Sequence, residues 1–492
     1  MDKTEELLNR AYECIEKNKD KVNRDYYRLK YHIMPPVGLL NDPNGFIEMN
    51  GEYHLFYQFH PFDTKHGLKF WGHVKSRDLV NWEELPIALA PSMWYETHGC
   101  YSGSAVNNNG TLTLIYTGNV KDSEGNRETY QCLALSEDGI NFIKYEGNPV
   151  IHNQPLGYTR HFRDPKVWRN GQDWYMVIGA QSEKLEGRAL IFKSRDLTEW
   201  SFIGEAAGSN IDSTGYLGYM WECPDIFNLN GKDVLITCPQ GIEPVGDLYN
   251  NIYQAGYFVG KLDYKTGRLK HGDFIELDRG FEFYAPQTTL DSKGRRLLVA
   301  WMGLPEEEDH PTVENGWIHA LTIPRVLELR DNKIYQSPVE EMKLLRKNHV
   351  AYSDILIDND EIELEKVEGD VLELIAEFEL FDSLEFGIML RCSEDGNEKT
   401  IISYDASEGK LKLDRNKSGK GYGGIRRCTL RDARKIKFNI FMDTSSLEIF
   451  INDGEEVFTS RIYPDKDSKG IKFFSKNGKV RLIRLDKWEL RY

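Results

Sequence analysis

The chain holds 492 residues, 40% of them apolar, which is too long for one ordinary hydrophobic core and rich enough to fill two. Its formal net charge of −16 disfavours nucleic acid and anionic lipid as partners, and it lacks an apolar run of the ~18 residues that a membrane span needs. Aromatics are abundant (10 Trp, 26 Tyr, 23 Phe), as a β-rich core requires and as sugar-ring stacking uses.

At the start, Asp2 with Glu5 reads as a helix cap ahead of Leu7, Leu8, Ala11 and Ile15, so residues 1–30 are expected to form a short helical extension. From Met1 onward there is neither the basic start nor the apolar stretch of a signal peptide. The seven cysteines (Cys14, Cys100, Cys132, Cys223, Cys238, Cys392 and Cys428) are odd in number, widely spaced and free of any CxxC. That pattern fits reduced thiols in the cytoplasm rather than a disulfide framework or a zinc site. The sequons at Asn109 and Asn416 are then chance.

Asn-Gly, the strongest short hairpin signal, recurs at Asn50-Gly51, Asn109-Gly110, Asn170-Gly171 and Asn230-Gly231, with glycine steps of 59, 61 and 60. Ser292-Lys293-Gly294 adds a fifth member after 63 more residues. A strand-like run follows each turn, at 53–58, 111–117, 174–178, 234–237 and 297–301. A second marker repeats out of phase: Ser76-Arg77-Asp78 leads to Trp82, Ser136-Glu137-Asp138 to Phe142, and Ser194-Arg195-Asp196 to Trp200. Sixty residues carrying several short strands is the size of a propeller blade, so residues 31–335 are expected to form a five-bladed β-propeller. Beyond residue 345 the markers stop. Leu372, Leu374, Ala376, Phe378 and Leu380 alternate with polar neighbours, and Asn452-Asp453-Gly454 joins two apolar runs. This predicts a β-sandwich over 351–492, ending at Tyr492, with a linker at 336–350 around Ser337-Pro338. The fold class expected is all-β.

Just upstream of each turn stands a polar motif: Asn41-Asp42-Pro43-Asn44-Gly45, Tyr101-Ser102-Gly103-Ser104, Arg163-Asp164-Pro165, Glu222-Cys223-Pro224-Asp225 and Tyr284-Ala285-Pro286-Gln287. Taking Asp42, Ser102, Asp164, Glu222 and Tyr284 as markers, the steps are 60, 62, 58 and 62. The first strand of each blade lines a propeller's channel, so one shared phase predicts that Asp42, Asp164 and Glu222 converge around the axis. Each motif alone reads as a turn; the shared phase makes them a site. Carboxylates ringed by aromatics suit glycoside hydrolysis, which needs one nucleophile or base and one acid held at different pKa values. Glu222 lies in an apolar context, where desolvation should raise its pKa. His60, His66 and His73 are spaced by 6 and 7, which matches no common metal-ligand motif.

At these residues the sequence resembles glycoside hydrolase family 32, the invertase family. The five motifs together with Trp71-Gly72-His73 carry the likeness through the propeller and, more weakly, the sandwich. Within the family the chain most resembles bacterial sucrose-6-phosphate hydrolases, through Cys238-Pro239-Gln240-Gly241 to Tyr253-Gln254-Ala255-Gly256-Tyr257 and through His66-Gly67-Leu68-Lys69-Phe70. The resemblance implies that Asp42 is the nucleophile, Glu222 the acid/base and Asp164 the transition-state stabiliser acting with Arg163. It implies a substrate pocket built from Leu39, Leu40, Asn41, Gln58, Trp71, Tyr101, Ser102, Arg163, Cys223 and Tyr284, with Cys223 tuning the acid. Tyr101 departs from the Phe or Trp frequent in relatives, a change expected to affect packing or subsite shape. A retaining pair of carboxyls stands roughly 5–5.5 Å apart. No cofactor or metal is required, since two carboxylates suffice.

The expected reaction is hydrolysis of sucrose or sucrose 6-phosphate. Lys65, His66, Lys69, Arg160 and His161 are the basic candidates for a phosphate. Hydrolysis of short fructo-oligosaccharides in the manner of an inulinase or levanase, fructosyl transfer, an inverting arabinosidase-type reaction and a lectin-like module stay open as alternatives, and so does a homo-oligomer.

Overall fold

The computed structural model describes residues 2–212, 214–430 and 433–491. Met1, with which the N-terminal reading began, and Tyr492, where the last expected strand ended, lie outside the described residues. Helix α1 (Lys3–Asn23) follows Asp2, which occupies the cap position without a side-chain cap bond. Glu5 and Glu6 in its first turn still complement the helix dipole. Its buried residues are Leu7, Ala11 and Val22. Among the described residues no helix is long and apolar enough to cross a membrane, and all seven cysteines are free.

The rest is β structure. Five antiparallel sheets fill 38–338, opening in turn on β1 (Gly38–Met49), β2 (Cys100–Asn108), β3 (Tyr158–Asn170), β4 (Met220–Leu229) and β5 (Tyr284–Leu290). Each sheet runs outward from its first strand. The Asn-Gly pairs turn the first hairpin. Asn50, Asn109 and Asn230 and the glycine after each have positive φ, as the two central residues of a type I′ turn require. At the third sheet the turn shifts by one: Asn170 pairs with Asp173, and Gly171 alone is left-handed. The Ser-x-Asp marker is a second kind of turn. The carboxylates of Asp78, Asp138 and Asp196 each accept the preceding serine hydroxyl and two backbone N–H groups ahead.

The first strands touch in a cycle, β1 with β2, β2 with β3, β3 with β4, β4 with β5, and β5 with β1, while the sheets stay separate. Apolar side chains fill the gaps between successive sheets. Phe56, Trp71 and Tyr116 join the first two, Ile115, Phe162 and Met176 the next, Val177, Trp221 and Phe258 the third pair, and Ile236, Tyr257 and Trp301 the fourth. The gap between the fifth and first sheets is filled by Leu55, Leu297 and Val299, in a cluster that extends to α1 and to Phe441 and Phe450. One short parallel pairing, Gly38 with Trp317 and Leu39 with Ile318, adds a late segment to the edge of the first sheet.

Two six-stranded sheets follow in 346–490, sharing one core in which Leu372, Leu374, Ala376 and Phe378 are fully buried. Asn452-Asp453-Gly454 closes the hairpin between Ser446–Ile451 and Glu456–Arg461. The stretch 336–350 is ordered: a 3-10 helix at Glu340–Leu345 packs Met342 and Leu345 into the core beside α1. A buried charge network ties the parts together. Arg325 donates to Glu448 (2.6 Å) and Asp278 (3.2 Å), and both ring nitrogens of His32 face carboxylates, Asp443 at 2.9 Å and Glu448 at 3.0 Å. Burial opposes charge on His32, yet the hydrogen bonds to the two carboxylates prevail and raise its pKa.

Candidate active site

All five motifs sit at the same place in their strands, and that place is a bulge. In β1 the pairing skips from Leu40 to Pro43, in β2 from Tyr101 to Gly103, in β3 from Arg163 to Lys166, in β4 from Glu222 to Asp225, and in β5 from Tyr284 to Gln287. Each time the motif strand carries one residue more than its partner, which bends it and re-aims its side chains. Asp164, Cys223 and Ala285 take positive φ within these bulges. The register corrects the expected phase by one residue. Glu222 pairs with Cys238 as Arg163 pairs with Gly179 and Tyr284 with Trp301, whereas Asp164 shares its bulged place with Cys223.

The bulges open onto a cavity of about 670 Å³ lined by Asn41, Asp42, Gln58, Tyr101, Ser102, Arg163, Asp164, Glu222 and Tyr284. Asp42 accepts from Ser102 Oγ and from Asn41 Nδ2 (3.1 Å). Glu222 accepts at Oε1 from Arg163 (2.7 and 3.0 Å), and at Oε2 from Tyr284 OH (2.7 Å) and Gln240 Nε2 (2.7 Å). Asp164 accepts from the backbone N–H of Cys223 (3.1 Å). The Cys223 thiol stands 3.7 Å from Asp42 and 3.8 Å from Asp164, so it bridges two of the three carboxylates from beneath the cavity. Gln58 and Trp71 brace the neighbouring strand by donating to the carbonyls of Cys100 and Tyr101 (both 3.1 Å).

Three carboxylates in one buried cluster cannot all ionise freely. Burial pushes Asp164 up to about 7; the charge of Arg163 opposes this, and those of Glu222 and Asp42 add to it. Burial also raises Asp42, against its bonds from Ser102 and Asn41. Glu222 differs from the expectation. Burial would raise it, but the charge and hydrogen bonds of Arg163 and the hydroxyl of Tyr284 outweigh that and lower its pKa. Burial and the Asp164 and Asp42 charges push the Cys223 thiol far up, so it stays protonated.

Leu39 and Leu40 do not reach the cavity. They are 1% and 0% exposed, and Leu40 belongs to the core beneath the first sheet. Trp71 and Cys223 also lie behind the cavity wall. Of the basic candidates, His66, Lys69 and His161 line the cavity, and Lys65 and Arg160 stand outside it. Lys69 donates to Asn41 Oδ1 (2.8 Å) and to His66 Nδ1 (3.1 Å). His60, His66 and His73 face no common centre: His60 bonds the carbonyl of Leu68, His66 bonds Lys69, and His73 bonds His54. Gln240 and Arg127 are cavity residues that the motif phase does not contain. They sit on the second strand of the fourth sheet and the third strand of the second, and the signal for Gln240 is its cross-strand pairing with Met220, two residues before Glu222.

The chain matches the model for the glycosyl hydrolases family 32 N-terminal domain over residues 32–338 and that for the family 32 C-terminal domain over 341–489. It is 48% identical over 463 residues to a sucrose-6-phosphate hydrolase of Bacillus subtilis, covering 94% of both chains. It is 45% identical over 446 residues to one of Salmonella typhimurium, covering 89% of each. Among solved structures it is similar to a sucrose-6-phosphate hydrolase of Lactobacillus gasseri (TM-score 0.88, 33% identity, 98% and 96% of the two chains). It is also similar to a Bombyx mori beta-fructofuranosidase mutant in complex with sucrose (TM-score 0.86, 38% identity, 98% of each).

Proposed function

The chain belongs to glycosyl hydrolases family 32, and on that premise we propose that it is a retaining β-fructofuranosidase that releases fructose from sucrose 6-phosphate or sucrose. The observation that carries this reading is the convergence of Asp42, Asp164 and Glu222 from three sheets onto one cavity. In this reading Asp42 attacks the fructosyl C2 and forms a covalent ester, while Glu222 protonates the departing glycosidic oxygen. Glu222 then takes a proton from water, which attacks C2 and frees Asp42 with retention. Asp164 and Arg163 bind fructose hydroxyls and stabilise the charge that develops on the ring. Arg163 donates to Glu222 through two nitrogens. Fructose hydroxyls that draw Arg163 away remove the main influence lowering the Glu222 pKa and return it to the range an acid needs. Asn41, Gln58, Tyr101, Ser102 and Tyr284 shape the fructose pocket.

The same proposal takes residues 31–335 as a five-bladed propeller, 351–492 as a β-sandwich and 1–30 as an extension packed on both. The cycle of contacts among β1 to β5 and the shared bulges support it. Seven unpaired cysteines support placement in the cytoplasm.

The test is kcat/KM on sucrose, sucrose 6-phosphate and inulin, with the anomer of the released fructose followed by NMR. Turnover of either sucrose form with β-fructofuranose appearing first is the expected result. Initial release of the α-anomer would reassign Asp42 as a base, and no turnover on any of the three would remove the reading. Fructosyl transfer would use the same carboxylates and would appear as oligosaccharide products at high sucrose.

A further inference from the structure

Four cationic side chains reach the cavity, and two of them are already committed. Lys69 is bonded to Asn41 and His66, and Arg163 is bonded to Glu222 and lies 3.0 Å from His161 Nδ1. The two cavity histidines of that group add no charge: burial, with the charge of Lys69 or Arg163 beside them, pushes His66 down to about 3 and His161 to about 4.

Arg127 and Lys121 are different. Among the described residues nothing ion-pairs or hydrogen-bonds with either charged group; Arg127 only rests over the ring of Tyr101, 5.5 Å from its centroid. They are directly opposite each other across one hairpin of the second sheet, so both side chains share a face. Like charges in that position repel, a cost that an acidic chain has ample carboxylates to avoid. Asp122, next to Lys121 in the chain, is consumed by its own turn, where it accepts from the backbone of Glu124 and Asn126 and from the Asn126 amide. Beside this pair, His98 Nδ1 accepts the backbone N–H of Lys121 (3.1 Å), which leaves its hydrogen on Nε2 as a donor. A planar guanidinium, an ammonium and an imidazole N–H at the mouth of one cavity make a donor set for a dianionic phosphate.

We propose that Arg127 and Lys121, with His98, hold the phosphate of the substrate's glucose unit and set the preference for sucrose 6-phosphate over sucrose. This rests on the fructosidase reading above. It moves the phosphate from Lys65, His66, Lys69, Arg160 and His161 to the second sheet, beside Tyr101. Because the phosphate lies away from the bond being cut, its contacts count equally in ground and transition states and appear in KM rather than kcat.

The experiment measures kcat and KM on both sugars for wild type, Arg127→Gln, Arg127→Lys and Lys121→Met. The expected result is that the ratio of kcat/KM for sucrose 6-phosphate over sucrose falls about 10- to 100-fold in Arg127→Gln, through KM. Lys121→Met should lower it about 3- to 10-fold, and Arg127→Lys should restore part of the loss. Ratios that stay at the wild-type value in both Arg127→Gln and Lys121→Met, or that change only through kcat, overturn the subsite while leaving the fructosidase reading intact. A wild-type enzyme that hydrolyses neither sugar overturns that reading and the subsite with it.

Discussion

At Asp164 burial, the Arg163 charge and two neighbouring carboxylates meet, and the net effect raises its pKa from 3.8 to about 7. A carboxyl that holds its proton more tightly in the fold than in the unfolded chain costs stability as pH rises. The cost is absent below about 3.8, grows up to about 7 and is constant above that. Asp164→Asn keeps an acceptor for the Cys223 N–H and removes the charge. It should gain on the order of 1–4 kcal/mol of unfolding free energy at pH 8, shrinking towards pH 4, while kcat collapses. Denaturant titrations at pH 5 and pH 8 check this, and an equal gain at both would contradict the cause given. Asp42→Asn and Glu222→Gln should each lower kcat by at least about 10²–10⁴-fold with the protein still folded. Near-normal turnover in either folded variant would remove the role assigned to that residue. The sequence makes these residues legible because they recur in phase. It does not show Gln240 or Arg127, which face the cavity from second and third strands where no repeated motif marks them. Nor does an apolar context around Glu222 show that Arg163 and Tyr284 arrive from other sheets to reverse its shift.

The bulge is the element-scale device. It places Asp164 and Cys223 one residue out of the regular pleat, so Arg163 and Glu222 lie at equivalent registers while Asp164 still reaches the cavity. Spacing alone puts Asp164 and Glu222 in phase, because counting residues cannot reveal which one the bulge holds. The hairpins are more legible: Asn-Gly supplies left-handed backbone at three of its four turns, and Ser-x-Asp satisfies its own turn. Sheet-to-sheet fit depends on Gly179, opposite Arg163. A Cβ there would stand 2.3 Å from the carbonyl oxygen of Trp221 and 3.3 Å from that of Arg163. Gly179→Ala should therefore push β4 outward next to Glu222 and lower kcat about 10- to 100-fold with the protein still folded. Wild-type kcat in that variant would mean that the two strands have slack the packing does not show.

For the whole molecule, the joints between sheet systems are charged rather than greasy alone. Arg325 is fully buried between Glu448 and Asp278, and His32 bridges Asp443 and Glu448. Arg325→Met strips buried Asp278 of its cation and leaves Glu448 with His32 alone, and should cost about 3–5 kcal/mol in chemical denaturation. A loss below about 1 kcal/mol would show that the carboxylates find water or protons instead. The sequence announces two β regions, since their periodicities differ, but not this network, whose members are scattered from residue 32 to residue 448. It likewise gives no hint that Trp317 and Ile318 return to lie parallel to Gly38 and Leu39. That return has a consequence in time. During synthesis the first sheet emerges early, yet the parallel partner of its first strand is made only after the other four sheets have begun. The nascent chain must hold an unfinished edge beside Asp42 until the ends meet, a late closure expected to slow folding and to leave that edge open to mispairing with other chains.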